Sequence, residues 1–113
     1  MSPALPSPRK PPRCVTAEVL ARSPAGARLV VAGLVVCRQR PGTAKNVTFV
    51  TLEDETGTAN VVVWSRVFAR HRRAVVAGRC LRIAGRVQRE GIVVHLVAET
   101  IEDISAMLDE IVL

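Results

Sequence analysis

Basic residues are concentrated in one stretch of this sequence. Eight arginines lie between Arg66 and Arg89, and that stretch contains no acidic residue. After Arg89 the sign reverses, because six acidic residues follow with no lysine or arginine among them. A guanidinium group can pair with phosphate oxygens and can also stack on a nucleobase. Together with the net charge of +6, this segregation predicts a phosphate-bearing, anionic partner.

Aromatic side chains are scarce, which limits how tightly bases could be held. The three aromatic residues are Phe49, Trp64 and Phe68, and a base stacked on such a ring contributes roughly 1–3 kcal/mol. Phe68 falls on the apolar side of a predicted helix, and Trp64 could equally pack at a strand–helix junction. One or two stacking platforms predict modest affinity and little sequence discrimination, as in an accessory contact.

No arrangement of residues predicts catalysis, a cofactor or a metal site. The three cysteines form neither a close pair nor a ligand-spaced cluster with His71 or His95. The consecutive acidic residues 53–55 are split between opposite faces or a turn, whereas two-metal chemistry needs carboxylates that meet in a cleft. We therefore expect a protein that is not an enzyme, with no cofactor and no small-molecule substrate.

Length and hydropathy bound the domain organisation. The chain has 113 residues, enough for one domain. Its longest apolar run, 29–37, is about half of what a bilayer span needs, and the Pro-rich beginning lacks a signal segment. We expect a cytoplasmic protein with no membrane partner. Residues 1–26 are predicted as a flexible, basic lead-in with one helical turn near Thr16–Ala21, and residues 27–113 as the folded domain.

The order of secondary structure predicts the fold class. Gly57 is expected to close a hairpin between two strands, Ser65 to cap a helix, and Gly78 to end it as a C′ glycine. Asp103 can cap a short terminal helix. The predicted strands are 28–38, 47–54, 58–64, 79–89 and 92–101, with the main helix at 65–76. This order is all-β and matches a five-stranded Greek-key barrel of the oligonucleotide/oligosaccharide-binding (OB) fold, with a helix between strands three and four. An SH3-like barrel lacks that helix.

Two glycines share the same place in two predicted strands. Gly33 and Gly85 each follow an apolar-x-apolar-Ala pattern, so each lies in mid-strand. A glycine there allows a bulge or a sharp bend. Small barrels need that curvature to close.

Strand alternation predicts which side chains could form a binding face. If Val50, Leu52 and the apolar residues of the fourth strand point inward, their neighbours point outward. The ligand face of an OB barrel lies on its second and third strands, between the loops after strands one and four. The predicted nucleic-acid-binding residues are Arg38, Arg40, Lys45, Phe49, Thr51, Asn60, Trp64, Arg82, Arg86 and Arg89.

Several segments resemble a known family. Residues 30–35, 38–45, 49–57, 60–64 and 85–91 are similar to the C-terminal OB domain of bacterial error-prone, C-family DNA polymerases. Asn46 stands where we expect glycine, and asparagine tolerates the left-handed conformation. The resemblance implies contact of Phe49 and Asn60 with single-stranded template DNA during damage-induced translesion synthesis and repair. It also implies other translesion polymerase subunits and the sliding clamp as partners. Polymerase regions are absent from these residues, so the resemblance implies no catalysis by this chain.

Two alternatives stay open. The barrel could be a scaffold for a protein-interaction module in which the terminal helix docks a polymerase partner through Ile104, Met107, Leu108 and Ile111. Packing of that helix on its own barrel is the simpler interpretation. The chain could also bind RNA, as anticodon-binding OB domains with similar strands do.

Overall fold

The computed structural model describes residues 13–40 and 46–107. Two short elements come first, followed by five strands interrupted by two helices. In chain order they are β1 (Arg13–Val15), α1 (Ala17–Arg22), β2 (Arg28–Gln39), β3 (Val47–Asp54), β4 (Gly57–Trp64), α2 (Ser65–Arg70), α3 (Arg72–Ala77), β5 (Cys80–Glu90) and β6 (Val93–Asp103).

The strands β2 to β6 close into a barrel. β2 is antiparallel to β5 along its first half and to β3 along its second half. β3 continues into β4 as an antiparallel hairpin, β4 runs parallel to β6, and β6 returns antiparallel to β5. The five-stranded OB barrel predicted from element order is confirmed, with helical structure between its third and fourth strands.

Both mid-strand glycines lie where another strand comes too close for a side chain. A Cβ atom on Gly33 would be 2.6 Å from the Glu53 carbonyl oxygen, and one on Gly85 would overlap the Val97 carbonyl. Gly33 is near the point where β2 changes partner from β5 to β3. The register of β5 with β6 shifts between Ala84 and Gly85. The glycines therefore permit the bends that close the barrel.

The barrel interior is filled by alternate residues of every strand. Leu52, Leu81, Ile83 and Leu96 are at most 2% exposed, as are several valines. Burying one such side chain contributes about 1.5–3 kcal/mol. This alternation leaves the intervening residues of β3, β4, β5 and β6 on the outside.

The folded unit begins earlier than predicted. Residues 13–22 were expected to belong to a flexible lead-in, but β1 pairs in parallel with β2 and α1 buries Ala17 and Leu20. The Thr16 hydroxyl caps α1 by accepting a hydrogen bond from the Val19 N–H at 3.2 Å. Two apolar positions on one face of this six-residue helix thus pack against the barrel. Residues 1–12 lie outside the described residues.

The predicted helix over 65–76 is two helices. α2 and α3 are separated by His71, whose φ of −125° and ψ of 30° interrupt the helix. Trp64, not Ser65, holds the N-cap position. Gly78 has a φ of −67°, so it is no left-handed C′ glycine; a Cβ there would lie 2.6 Å from the Ala74 carbonyl oxygen. Close approach of α3 to the start of β5 explains this glycine.

The end of the described chain returns to the barrel. Ile104 is buried and its N–H donates to the Cys80 carbonyl at 2.9 Å. The Asp103 carboxylate accepts from the Ser105 N–H at 2.9 Å, as predicted for a capping residue, and Ala106 and Met107 are helical. Leu108 and Ile111 lie outside the described residues. Over residues 13–40 and 46–107, every helix falls short of the length and apolar character needed to cross a membrane.

Candidate nucleic-acid interface

One row of outward-facing residues crosses four strands of the barrel. Phe49 on β3 is paired with Val62 on β4, and Val62 is paired with Val97 on β6. Val97 is in turn paired with Arg86 on β5. Neighbouring strands are about 4.8 Å apart, so this row is an apolar strip that begins at an aromatic ring and ends at a guanidinium group.

A second, polar row lies beside the first. Thr51 is paired with Asn60, and Gln88 with His95. Asn60 and His95 each precede a residue of the parallel pair Val61–Leu96, so they are neighbours across β4 and β6. We call the two rows together the sheet face; its members are Phe49, Val62, Val97, Arg86, Thr51, Asn60, His95 and Gln88. It offers donors and acceptors for base edges beside an apolar strip.

The two aromatic platforms differ in exposure. Phe49 is half-buried between Val62 and Gln39, its cross-strand neighbours. Trp64 ends β4, pairs with Val47 and is 50% exposed. Phe68 is buried at the end of the barrel, as predicted. A base can therefore reach Phe49 and Trp64 but not the ring of Phe68.

Arg40 lies at the edge of the sheet face, beside the barrel end. Its guanidinium carbon is 4.7 Å from the centroid of the Phe68 ring, a cation–π contact. Arg40, Phe68 and the buried Thr48 line a surface cavity of about 170 Å³. Lys45, another predicted binding residue, lies outside the described residues.

Two predicted binding arginines use their guanidinium groups within the fold. Arg38 donates to the Val75 carbonyl at 2.7 Å and to the Gly78 carbonyl, at the C-terminal end of α3. Arg89 donates to the Ala21 and Ser23 carbonyls at 3.0 and 2.8 Å, at the end of α1. Cations stabilise the free carbonyls at helix C-termini, so both arginines hold helices against the barrel.

The remaining predicted arginines differ from one another as well. Arg82 forms an exposed ion pair with Glu102 at 3.2 Å, at the end of β5 away from the sheet face. Arg86 has no ion pair within residues 13–40 and 46–107, and it lines a groove of about 620 Å³ together with Gln88, Val97 and Glu99. Glu99 is already paired with Arg28 at 2.7 Å. Arg86 is therefore the cation that the sheet face presents.

The carboxylates with altered pKa values serve the fold. Desolvation raises the pKa of Asp54, but hydrogen bonds from Thr56, Ala17 and Gly57 outweigh it and leave the pKa below its ordinary value. Hydrogen bonds from the Ser105 side chain and backbone lower the pKa of Asp103. Burial and the nearby Asp103 charge raise the pKa of Cys80. In the described part of the chain, no group of three or more metal-ligating side chains comes together.

Four members of the sheet face were not among the predicted binding residues: Val62, Val97, His95 and Gln88. His95, Gln88 and Val97 alternate with inward-facing residues, so their outward orientation could be read from the sequence. Their position beside Asn60 and Val62 depends on the parallel pairing of β4 with β6. Pairing between strands separated by two helices leaves no local signal.

Related proteins bear on this interface. The chain is 57% identical over 89 residues to an error-prone DNA polymerase of Ruegeria pomeroyi, covering 79% of this chain and 8% of that protein. It is 52% identical over 99 residues to error-prone DNA polymerase 2 of Rhizobium meliloti, covering 88% of this chain and 9% of that protein. The resemblance inferred from the motifs is confirmed, and the chain spans less than a tenth of the length of these relatives.

Solved structures with lower identity show the same fold. Asparaginyl-tRNA synthetase from Pyrococcus horikoshii superimposes with a TM-score of 0.66 at 24% identity, over 80% of this chain and 22% of that one. The Stn1–Ten1 complex of S. pombe gives a TM-score of 0.61 at 18% identity, over 74% of this chain and 62% of that one. Residues 29–104 match the tRNA anti-codon family, described as OB-fold nucleic acid binding domain. The chain belongs to this family of OB-fold nucleic acid binding domains.

Proposed function

We propose that the sheet face binds single-stranded DNA without catalysing a reaction on it. The observation that carries this proposal is the row Phe49–Val62–Val97–Arg86. An unstacked base can lie on Phe49 and reach the partly exposed Val97 across the buried Val62, while Arg86 pairs with a phosphate. Asn60, Thr51 and His95 lie alongside and can contact base edges.

The proposed contact set is narrower than the predicted one. Phe49, Thr51, Asn60, Trp64, Arg86, Arg40 and Lys45 remain in it, joined by His95 and Gln88. Arg38, Arg82 and Arg89 leave it because their guanidinium groups already have partners. Two platforms and one unpaired cation on the face support weak binding that becomes useful when the domain is tethered to a larger protein.

The relatives support two parts of the proposal: that the ligand is DNA, and that the domain works as part of a longer protein. Proteins that contain a segment about half identical to this chain are named error-prone DNA polymerases. We propose that the domain holds template strand near such a polymerase during translesion synthesis and repair. Other translesion polymerase subunits and the sliding clamp belong to the same proposal.

Fluorescence of the single tryptophan offers a direct test. Trp64 is the chain's sole tryptophan and lies half-exposed at the edge of the sheet face, so a bound single strand should quench it. Phe49→Leu keeps apolar bulk and removes the stacking ring; we expect binding weaker by about 1–2 kcal/mol, roughly five- to thirtyfold. Val19→Ala, on the exposed side of α1 and outside the contact set, is the matched control and should bind normally.

RNA is the second candidate ligand because the matched family carries the name tRNA anti-codon. Competition between DNA and RNA oligonucleotides of equal length and sequence separates the two. Preferential displacement by DNA supports the proposal. Preferential displacement by RNA would show that the sheet face binds RNA. If neither DNA nor RNA binds at low salt, both candidate ligands are refuted.

A further inference from the structure

A second basic surface begins where the sheet face ends. Trp64 is the last residue of β4 and the N-cap of α2. The two helices that follow expose Arg66, Arg70 and Arg73. We call these three residues the arginine surface. It continues from the sheet face past Trp64 and faces a different direction, because α2 and α3 pack on the barrel end.

The three arginines point away from the barrel. Arg66 and Arg70 are four residues apart on α2, so they lie on one side of the helix, one turn above the other. The buried residues Val67 and Phe68 occupy the other side. On α3, Arg73 lies two positions from the buried Val75, which places it opposite the packed side.

Within residues 13–40 and 46–107, no side chain pairs with these three charges. None of the three has a hydrogen bond or an ion pair with the rest of the described chain, and no acidic residue occurs between positions 66 and 89. Like charges at this helical spacing repel each other. By contrast, Arg28, Arg38, Arg82 and Arg89 all have partners within the fold. An external anion is what would compensate the repulsion.

The other exposed side chains of α2 and α3 indicate what kind of anion fits. They are Ser65, Ala69, Arg72, Val76 and Ala77, with no exposed aromatic ring or amide among them. Such a surface has cations for phosphates but no aromatic ring or side-chain amide for a base, so phosphate contact is its main chemistry. It therefore suits a nucleic acid whose bases are already paired, and duplex DNA carries a phosphate charge every 1.7 Å or so along its axis.

We propose that the arginine surface binds the phosphates of duplex DNA adjoining the single strand on the sheet face. The domain would then recognise a single-strand–duplex junction, with the half-exposed Trp64 ring at the boundary, against the last base pair. This inference rests on the proposed single-strand binding. It adds a second ligand class and fixes which end of the sheet face the duplex occupies.

The test compares three DNA ligands of equal strand length with the full chain: a single strand, a duplex with a single-stranded overhang, and a blunt duplex. We expect the overhang ligand to bind several-fold tighter than the single strand. The variant Arg66→Gln/Arg70→Gln should lose that advantage and keep wild-type affinity for the single strand. Its slope of log affinity against log salt on the overhang ligand should fall by about 1.8, from two lost contacts.

A matched variant, Arg22→Gln/Arg82→Gln, removes two exposed arginines elsewhere and should retain the preference for the overhang. Equal affinity of the wild type for overhang and single strand overturns the junction proposal and leaves single-strand binding standing. The junction proposal is also overturned if Arg66→Gln/Arg70→Gln weakens binding of all three ligands equally, or weakens binding only as much as the matched variant does. Absence of single-strand binding by the wild type refutes the proposed function itself.

Discussion

The Asp54 carboxylate, at the end of β3, accepts a 2.8 Å hydrogen bond from the backbone N–H of Ala17, the first residue of α1. The same carboxylate accepts from the N–H and hydroxyl of Thr56 at 2.8 and 2.7 Å, within the β3–β4 turn. The Thr56 hydroxyl in turn accepts from the Glu18 N–H at 3.1 Å. One carboxylate thus shapes the hairpin that carries Phe49 and Asn60 and fastens α1 to it.

Replacing Asp54 with alanine should destabilise the domain. Hydrogen bonds to a charged group contribute about 1.5–3 kcal/mol each, and the Ala17 N–H would lose its acceptor. We expect an unfolding free energy lower by about 2–4 kcal/mol, measured by urea denaturation at neutral pH. Glu53→Ala, at the exposed neighbouring position, is the control and should change it little. Equal stability of the two variants would show that the contact is incidental.

The Asp54–Ala17 hydrogen bond should also make the stability of the domain depend on pH in a defined direction. The folded-state pKa of Asp54 lies below its ordinary value of 3.8, so its contribution is fully present above that pH. It is lost as the pH falls through the lower, folded-state pKa. The stability difference between wild type and Asp54→Ala should therefore be constant near neutrality and shrink below about pH 3.8. A difference that widens on acidification would contradict the assignment.

Asp54 also illustrates what the sequence could and could not predict. Its place before Gly57 identified a turn, because short-range turn chemistry is written in neighbouring residues. Its contact with Ala17 spans 37 positions and depends on how α1 packs. Strand alternation likewise placed Phe49, Asn60 and Arg86 outside the barrel. It could not show that Arg38 reaches the end of α3, since alternation gives a direction and no partner.

Both mid-strand glycines should resist substitution. Gly33→Ala would bring a methyl group to 2.6 Å from a carbonyl oxygen of β3, and Gly85→Ala would collide with the β6 backbone. Because backbone must move in each case, we expect losses of about 1–3 kcal/mol or more in thermal or urea unfolding. The matched control is Gly91→Asn: Gly91 has a φ of 64° with open space around it, which asparagine tolerates. Near-normal stability of Gly33→Ala would argue that β2 can bend without glycine.

Arg38 and Arg89 should act on stability and leave DNA binding unchanged. Alanine at either position leaves carbonyl groups at a helix end without their donors, at a cost of about 1–3 kcal/mol. In a small domain this lowers the melting temperature by several degrees per kcal/mol. Oligonucleotide affinity, measured well below both melting temperatures, should match the wild type. If a variant has a normal melting temperature but binds the oligonucleotide more weakly, that arginine contacts DNA after all.

Arg86 should show the opposite pattern. It is paired across the sheet with Arg28, and like charges at such positions repel. Glu99 compensates Arg28 at 2.7 Å and leaves Arg86 without a counter-ion in the described residues. Removing its charge should therefore leave stability unchanged or raise it by a few tenths of a kcal/mol.

The same change should weaken binding of single-stranded DNA, because one phosphate contact is lost. We expect Arg86→Ala to reduce the salt slope by about 0.7, the value for one contact on a single strand. Arg82→Ala is the control on the same strand, since Arg82 is paired with Glu102, and it should keep the wild-type slope. If Arg86→Ala raises stability and lowers the affinity for single-stranded DNA, the Arg86 charge serves ligand binding. If both stability and affinity fall, Arg86 is a structural residue.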